Sequence, residues 1–172
     1  MTTIAFCKKT QLLGADTRLN YESYSGYSAK ISFPKKGIVL ATAGDAGEGE
    51  WLRHFLSKAD SIHDLYALTP DERPEFETLS AFIWWKSPFF VNEKLFPIPI
   101  ETDYWSDGSG GDYALAYLAL GWSMQDAIMG ATRIDPNSGP PVHVVDLKKP
   151  LHTLMVFEDK RGTDIHLIPP KN

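Results

Sequence analysis

Residues 38–43, Ile-Val-Leu-Ala-Thr-Ala, form a nearly unbroken apolar run. Lys35-Lys36-Gly37 turns the chain before it, and Gly44-Asp45-Ala46-Gly47 breaks it afterwards. A strand without a polar face is buried on both sides, so the sheet that holds it must be an inner layer. The segment that follows carries Trp51, Leu52, Phe55 and Leu56 on one face and reads as a helix able to supply part of the cover.

Strand alternation also starts almost at the first residue, with Ile4 and Phe6 on one face and Ala5 and Cys7 on the other. Lys8-Lys9-Thr10-Gln11 reads as a turn and Leu12-Leu13-Gly14-Ala15 as the return strand, so residues 3–16 are predicted as a hairpin. A Tyr/Ser-rich stretch, Tyr21 to Ser28, precedes a strand at Ala29–Phe33 that stops at Pro34. Residues 59–77, with Pro70 and Pro74, read as one helix or two short ones with loops. Strands are predicted at Ala81–Trp85 and Phe89–Val91, and the chain stays extended to Trp105. Helices follow over Tyr113–Leu120 and from a Ser123 cap to about Ile134. Val142–Leu147, Thr153–Phe157 and Thr163–Leu167 close the chain as strands. The order predicts one α+β domain over residues 1–172: a four-layer αββα sandwich, two packed sheets covered by helices on both outer faces.

The net charge of −5 and the lack of a basic stripe argue against a nucleic-acid binder. A single cysteine, Cys7, rules out an internal disulfide framework and suits a reducing compartment. No basic segment leads into an early apolar run, so no signal peptide is expected. No stretch of about 20 apolar residues suggests a membrane helix, and a soluble, cytoplasmic protein is expected. His54, His63, His143, His152 and His166 are scattered, with no pair at metal-ligand spacing.

The run "DGSGGDYALAYLALG" has the look of a chemical loop but lacks the lysine of a phosphate-binding loop. Asp107 stands two residues before Ser109, where a serine-hydrolase elbow requires glycine. It reads as a tight strand-to-helix turn. Thr2 is different in kind. A small second residue permits loss of the initiator methionine, leaving a hydroxyl and a free α-amine on one residue. An α-amine titrates at about 7.7–8.0, so it can take the proton of the otherwise unreactive hydroxyl.

These stretches together resemble the proteasome β-type subunit family, and in length the bacterial HslV-type peptidases. "TTIAF" with "LLGADTR" resembles the family's first hairpin, and "AKI" the strand that carries its lysine. "LATAGDAG" resembles the strand end that opens the first helix. "DGSGGDYALAYLALG" is similar to the GSGG turn and helix, and "IDPNSGPPVHVVDL" to the DxxSG turn with its strand. The resemblance covers most of the chain; the Trp84-Trp85 region and residues 59–77 have no counterpart.

The resemblance implies the N-terminal-nucleophile hydrolase fold and a threonine-type endopeptidase acting on unfolded proteins inside a self-compartmentalised ring. Thr2 would be the nucleophile, with Asp16 and the charged Lys30 beneath it and the Gly44 N–H as oxyanion donor. Ser109, Asp135 and Ser138 would orient the terminal amine and relay protons. Ser28, Thr42 and Ala46 would line the pocket for the substrate residue before the scissile bond. No cofactor is required for this chemistry, and a structural sodium or magnesium ion held by the carbonyls of Thr132, Asp135 and Ser138 is implied. The implied partners are further copies of the chain in a stacked double ring and an ATP-dependent unfoldase. A rival expectation is a ring-forming scaffold that is inactive or keeps Met1. A small-molecule amidase ranks after it, and a Ser109 hydrolase using His143 or His152 comes last.

Overall fold

The structure is a computed structural model that describes residues 2–21, 24–149 and 154–158. The first sheet contains β1 (Ile4–Cys7), β2 (Leu12–Asp16), β10 (Tyr104–Asp107), β11 (Val142–Asp146) and β12 (Leu154–Phe157), in the order β10-β1-β2-β11-β12. The second contains β5 (Ile31–Ser32), β6 (Ile38–Ala43), β7 (Ser80–Trp85), β8 (Ser87–Asn92) and β9 (Ile98–Pro99), in chain order. A separate ribbon pairs β3 (Arg18–Tyr21) with β4 (Tyr24–Tyr27). All strand pairs are antiparallel.

The strand without a polar face behaves as its sequence requires. Val39 and Ala41 of β6 pack against Ile4, Phe6, Leu13 and Phe82 between the two sheets. Ile38 and Leu40 point the other way, onto Leu52 and Leu56 of α1 (Ala46–Lys58). Asp45 starts that helix by accepting the N–H groups of Gly47 at 2.7 Å and Glu48 at 3.2 Å. The outer face of the first sheet is covered by α3 (Gly111–Ala119) and α4 (Met124–Ile134), through Ala114, Leu118, Ala127 and Ile128. Ser123 caps α4 by accepting the Asp126 N–H at 3.1 Å. Helix and strand meet closely there: a Cβ on Gly14 of β2 would lie 2.8 Å from the Met124 sulfur.

The four-layer αββα sandwich predicted from the element order is corrected by this architecture. The described residues form three antiparallel sheets, and the helical cover is sparse. Two stretches account for the difference. Part of the Tyr/Ser-rich segment folds as the β3-β4 ribbon, outside both large sheets. Residues 59–77 give one turn of helix, α2 (Asp64–Ala67), and a 3₁₀ turn at Pro70–Glu72, because proline lacks the N–H a helix interior needs. The second sheet therefore has one full helix on its outer face where a pair was expected.

The other predicted elements lie within a few residues of the observed ones, except β5, which is two residues long where five were expected. The extended stretch before Trp105 contributes β9 and the start of β10. The strand predicted at Thr163–Leu167 lies outside the described residues. Among the described residues no helix is long and apolar enough to cross a membrane.

Candidate active site

The site is built where β1 begins. Thr2 and Thr3 are both buried, at 3% and 0% exposure, although they precede the first strand. The Thr3 N–H donates to Asp16 Oδ1 at 2.8 Å, and the Asp16 N–H returns to the Thr3 carbonyl at 3.0 Å. Asp16 ends β2 and is fully buried. Its Oδ1 also accepts Lys30 Nζ at 2.7 Å, while Oδ2 accepts the N–H groups of Arg18 and Gly139, each at 3.0 Å. Such a carboxylate has its lone pairs satisfied and its charge matched, the condition under which a buried ion pair is tolerated. Burial draws the Lys30 ammonium below the ordinary lysine range, against the opposing pull of Asp16.

A second wall is made by the turn between β10 and α3. The Thr2 carbonyl accepts the Gly110 N–H at 3.3 Å. Gly108, at φ +82°, lies so close that a Cβ there would be 2.0 Å from the same carbonyl oxygen. A Cβ on Gly110 would be 1.9 Å from Thr3 Oγ1. The glycines of "DGSGG" therefore serve close approach to the first two threonines, which only a residue without a side chain allows.

Beyond the turn runs a hydroxyl–carboxylate network. Asp135 Oδ2 accepts Ser109 Oγ at 2.7 Å and Ser138 Oγ at 2.6 Å, and Ser138 Oγ is 2.6 Å from Thr3 Oγ1. Burial acts to raise the Asp135 carboxyl, but hydrogen bonds from Ser138, Ser109 and Asn137 outweigh it and hold it below the ordinary carboxylate range. Ser109, Asp135 and Ser138 are thus brought together, and their network ends on the Thr3 hydroxyl. Ser109 has a carboxylate partner and no histidine. His143 lies on β11 opposite Ala15, its Nδ1 buried without a partner, and burial lowers its affinity for a proton. His152 lies outside the described residues.

Facing the threonines is a cleft of about 270 Å³. Thr2, Ser28, Lys30, Thr42, Gly44 and Ala46 line it, so the expected nucleophile, cation, oxyanion donor and pocket residues share one cavity. Gly44, at φ +99°, turns the chain from β6 into α1 against β7; a Cβ there would be 2.1 Å from the Thr78 carbonyl oxygen. Glu48 holds that corner, its carboxylate accepting the Glu77 N–H at 2.8 Å and the Thr78 N–H at 3.2 Å.

Three features of the site are not assigned by the sequence. Arg18 lines the cleft, and Thr3 is the residue that Asp16 and Ser138 hold. Glu50 and Arg53, joined at 2.7 Å, form the outer rim. Arg18 stands inside the quoted "ADTR" and the rim pair has helical i, i+3 spacing, so both signals were visible but unassigned.

The implied cation site fits its residues poorly. Arg18 donates to the carbonyls of Pro136 at 2.9 Å and Ser138 at 3.4 Å, so a metal there would sit beside a fixed positive charge. The Asp135 carbonyl already accepts the Ser138 N–H, and the Thr132 hydroxyl turns back to the Met129 carbonyl. Among the described residues no group of three or more His, Cys, Asp or Glu could hold an ion.

No protein-family model matches the chain, and no curated protein matches it. Among solved structures it is similar to the Gly-1 mutant of Anbu from Hyphomicrobium sp. strain MC1, with a TM-score of 0.72. The match covers 93% of this chain and 88% of that one at 17% identity. A likeness at that identity is one of fold. The resemblance to proteasome β-type subunits and HslV-type peptidases is corrected accordingly: the motifs that carried it are short turn and strand-end signatures, and what the comparisons give is a fold shared with Anbu.

Proposed function

We propose that the protein is a threonine-type endopeptidase in which Thr2, made terminal by removal of Met1, attacks peptide carbonyls. The observation that carries this reading is the shared cleft: Thr2, Lys30 (paired with the fully buried Asp16) and the Gly44 turn line it from three separate segments. In the proposed reaction the α-amine of Thr2 takes the hydroxyl proton, directly or through a water, while the nearby Lys30 ammonium favours the alkoxide. The oxygen adds to the carbonyl carbon, and the tetrahedral oxyanion is met by the Gly44 N–H, a contribution of roughly 10²–10³ in rate where comparable donors have been removed. Collapse of the intermediate passes the proton to the leaving amine and leaves an ester on Thr2. Water, deprotonated by the same amine, then cleaves the ester.

Ser28, Thr42 and Ala46 are small, so the pocket accepts a large or apolar residue before the scissile bond. Unfolded polypeptide in a cytoplasmic compartment is the substrate class, and assembly into a stacked ring fed by an ATP-dependent unfoldase belongs to the same proposal.

The test is the intact mass of the protein before and after exposure to a peptide epoxyketone, a reagent that closes a ring with both the hydroxyl and the free amine of a terminal threonine. The expected result is loss of Met1 and one adduct, absent in Thr2→Ala. Retained Met1 without an adduct would overturn the reading in favour of an unprocessed, ring-forming scaffold.

A further inference from the structure

Asp107, the residue that breaks the hydrolase-elbow pattern, has a place in this site that no local motif foretells. It ends β10 directly opposite Ile4 of β1, so its side chain shares the inter-sheet face with Ile4 and, two residues back, with Thr2. Its Oδ1 accepts the Gly108 N–H at 2.6 Å, fixing the turn that packs on the Thr2 carbonyl. Its Oδ2 accepts the hydroxyl of Ser80. Ser80 begins β7 on the other sheet, opposite Ala43 and hence one residue from Gly44.

The proposed nucleophile and oxyanion donor therefore sit on different sheets, and a side-chain hydrogen bond crosses between the sheets beside both of them. We infer that Asp107 and Ser80 form a brace that sets the separation of Thr2 from the Gly44 N–H, and that both are positioning residues for the reaction. This inference rests on the threonine-peptidase reading. The brace has two anchors. On the first sheet it holds Gly108, whose contact with Thr2 admits no side chain; on the second it holds the start of β7, next to the Thr78 carbonyl that abuts Gly44.

The carboxyl occupies an environment that does not favour its charge: burial pushes it above the ordinary carboxylate range, with the Gly108 N–H pulling the other way. An aliphatic side chain would fill such a place without that cost, whereas an acid there supplies two acceptors aimed at opposite sides of the cleft. Rate depends steeply on such spacing, since a displacement of about 1 Å can cost about 10²-fold.

The experiment compares the full-length wild-type protein with S80A, D107L and D107N. It reads kcat and KM on one efficiently cleaved fluorogenic peptide, together with the thermal midpoint. S80A and D107L are expected to lower kcat by about tenfold or more with KM within about twofold, the pattern of an interaction that matters in the transition state. D107N retains an acceptor for Gly108 and gains an amide donor for Ser80, so it should recover most of the loss seen in D107L. If D107L fails to fold, S80A carries the comparison.

Three results would overturn the brace: S80A with unchanged kcat, a rise in KM alone, or D107N as poor as D107L. A wild type that neither cleaves the peptide nor takes up the epoxyketone sinks the parent reading and the brace with it. A wild type that does both while S80A keeps its kcat sinks the brace alone.

Discussion

The two walls of the cleft are built on different physical principles. On the side of the first sheet, Thr3, Asp16, Asp135 and Ser138 are all buried, and nearly every polar atom among them has a partner inside the protein, including the buried Lys30, whose side chain crosses from the start of β5 to Asp16. On the second, the contacts that shape the wall run between exposed groups: Glu48 with Thr78, and Glu50 with Arg53. Hydrogen bonds and ion pairs out of water are strong and unforgiving, while exposed ones exchange with solvent at little net cost. The buried wall is therefore suited to holding a reagent in one geometry. The exposed wall is suited to meeting substrates of varied shape.

The sharpest way to break that comparison is to remove the carboxylate at the centre of the buried wall. Asp16→Ala takes the carboxylate away from the Lys30 ammonium and strands the N–H groups of Thr3, Arg18 and Gly139. Breaking a buried pair from one side typically costs about 3–5 kcal/mol, and the added loss of backbone acceptors acts in the same direction. Urea unfolding should show a fall of that order, and adduct formation at Thr2 should disappear. A change near zero in both readouts would mean that Asp16 is an ordinary ion-pair partner and the wall is not preorganised.

A smaller effect is expected one step outward. Ser138→Ala removes the hydroxyl between Thr3 and Asp135, with a loss of about 1–3 kcal/mol for the buried groups left unpaired. The pH dependence carries more information. Asp135 is held below the ordinary carboxylate range, so its contribution to stability is complete above the unfolded value of about 3.9 and is lost as pH falls through the lower folded one. Taking away a donor raises the folded value and narrows that window. The acid-unfolding midpoint of Ser138→Ala should therefore lie at higher pH than that of the wild type. Coincident acid midpoints would show that the network does not reach the Asp135 carboxyl.

The two walls also differ in how far they could be read from the sequence. The buried one depends on short-range rules: a strand that starts at once, glycines where backbones must touch, a serine and an aspartate flanking a turn. Thr2 could be named from its own chemistry, whereas Asp16, Lys30, Gly44, Ser109, Asp135 and Ser138 could be named only through the resemblance of the turn and strand-end motifs that carry them. Arg18 stands within one of those motifs, but its place in the cleft, like the Asp107–Ser80 link, depends on how one sheet lies over the other, which no local pattern encodes. The sandwich expectation failed for a related reason. Pro70 and Pro74 were visible as helix breakers, but whether the remaining turns would still pack as a second covering helix was a question of tertiary contacts. β3-β4 was missed because its Tyr/Ser alternation has no consistent apolar face from which a strand could be inferred.

The exposed wall yields the smallest expected effect, and that is what makes it diagnostic. Glu50 and Arg53 are about half-exposed, at 61% and 42% of their side-chain area, and their ion pair is the type that salt screens. Arg53 holds the Glu50 carboxyl below its ordinary range through a direct hydrogen bond, so both groups are charged at neutral pH. Each substitution, Glu50→Gln and Arg53→Gln, should leave the unfolding midpoint where it was, because neither residue supports the core. What should change is the preference among peptides. A charged residue before the scissile bond meets this pair at the rim, so Glu50→Gln should weaken basic peptides and Arg53→Gln acidic ones. The change should be about threefold to tenfold in kcat/KM and should come through KM, as expected for binding energy equal in ground and transition states. Salt should mimic both substitutions. If either variant lowers kcat as strongly as a change in the buried wall does, the division into a holding wall and a reading wall is wrong, and α1 takes part in positioning Gly44 as well as in shaping the pocket.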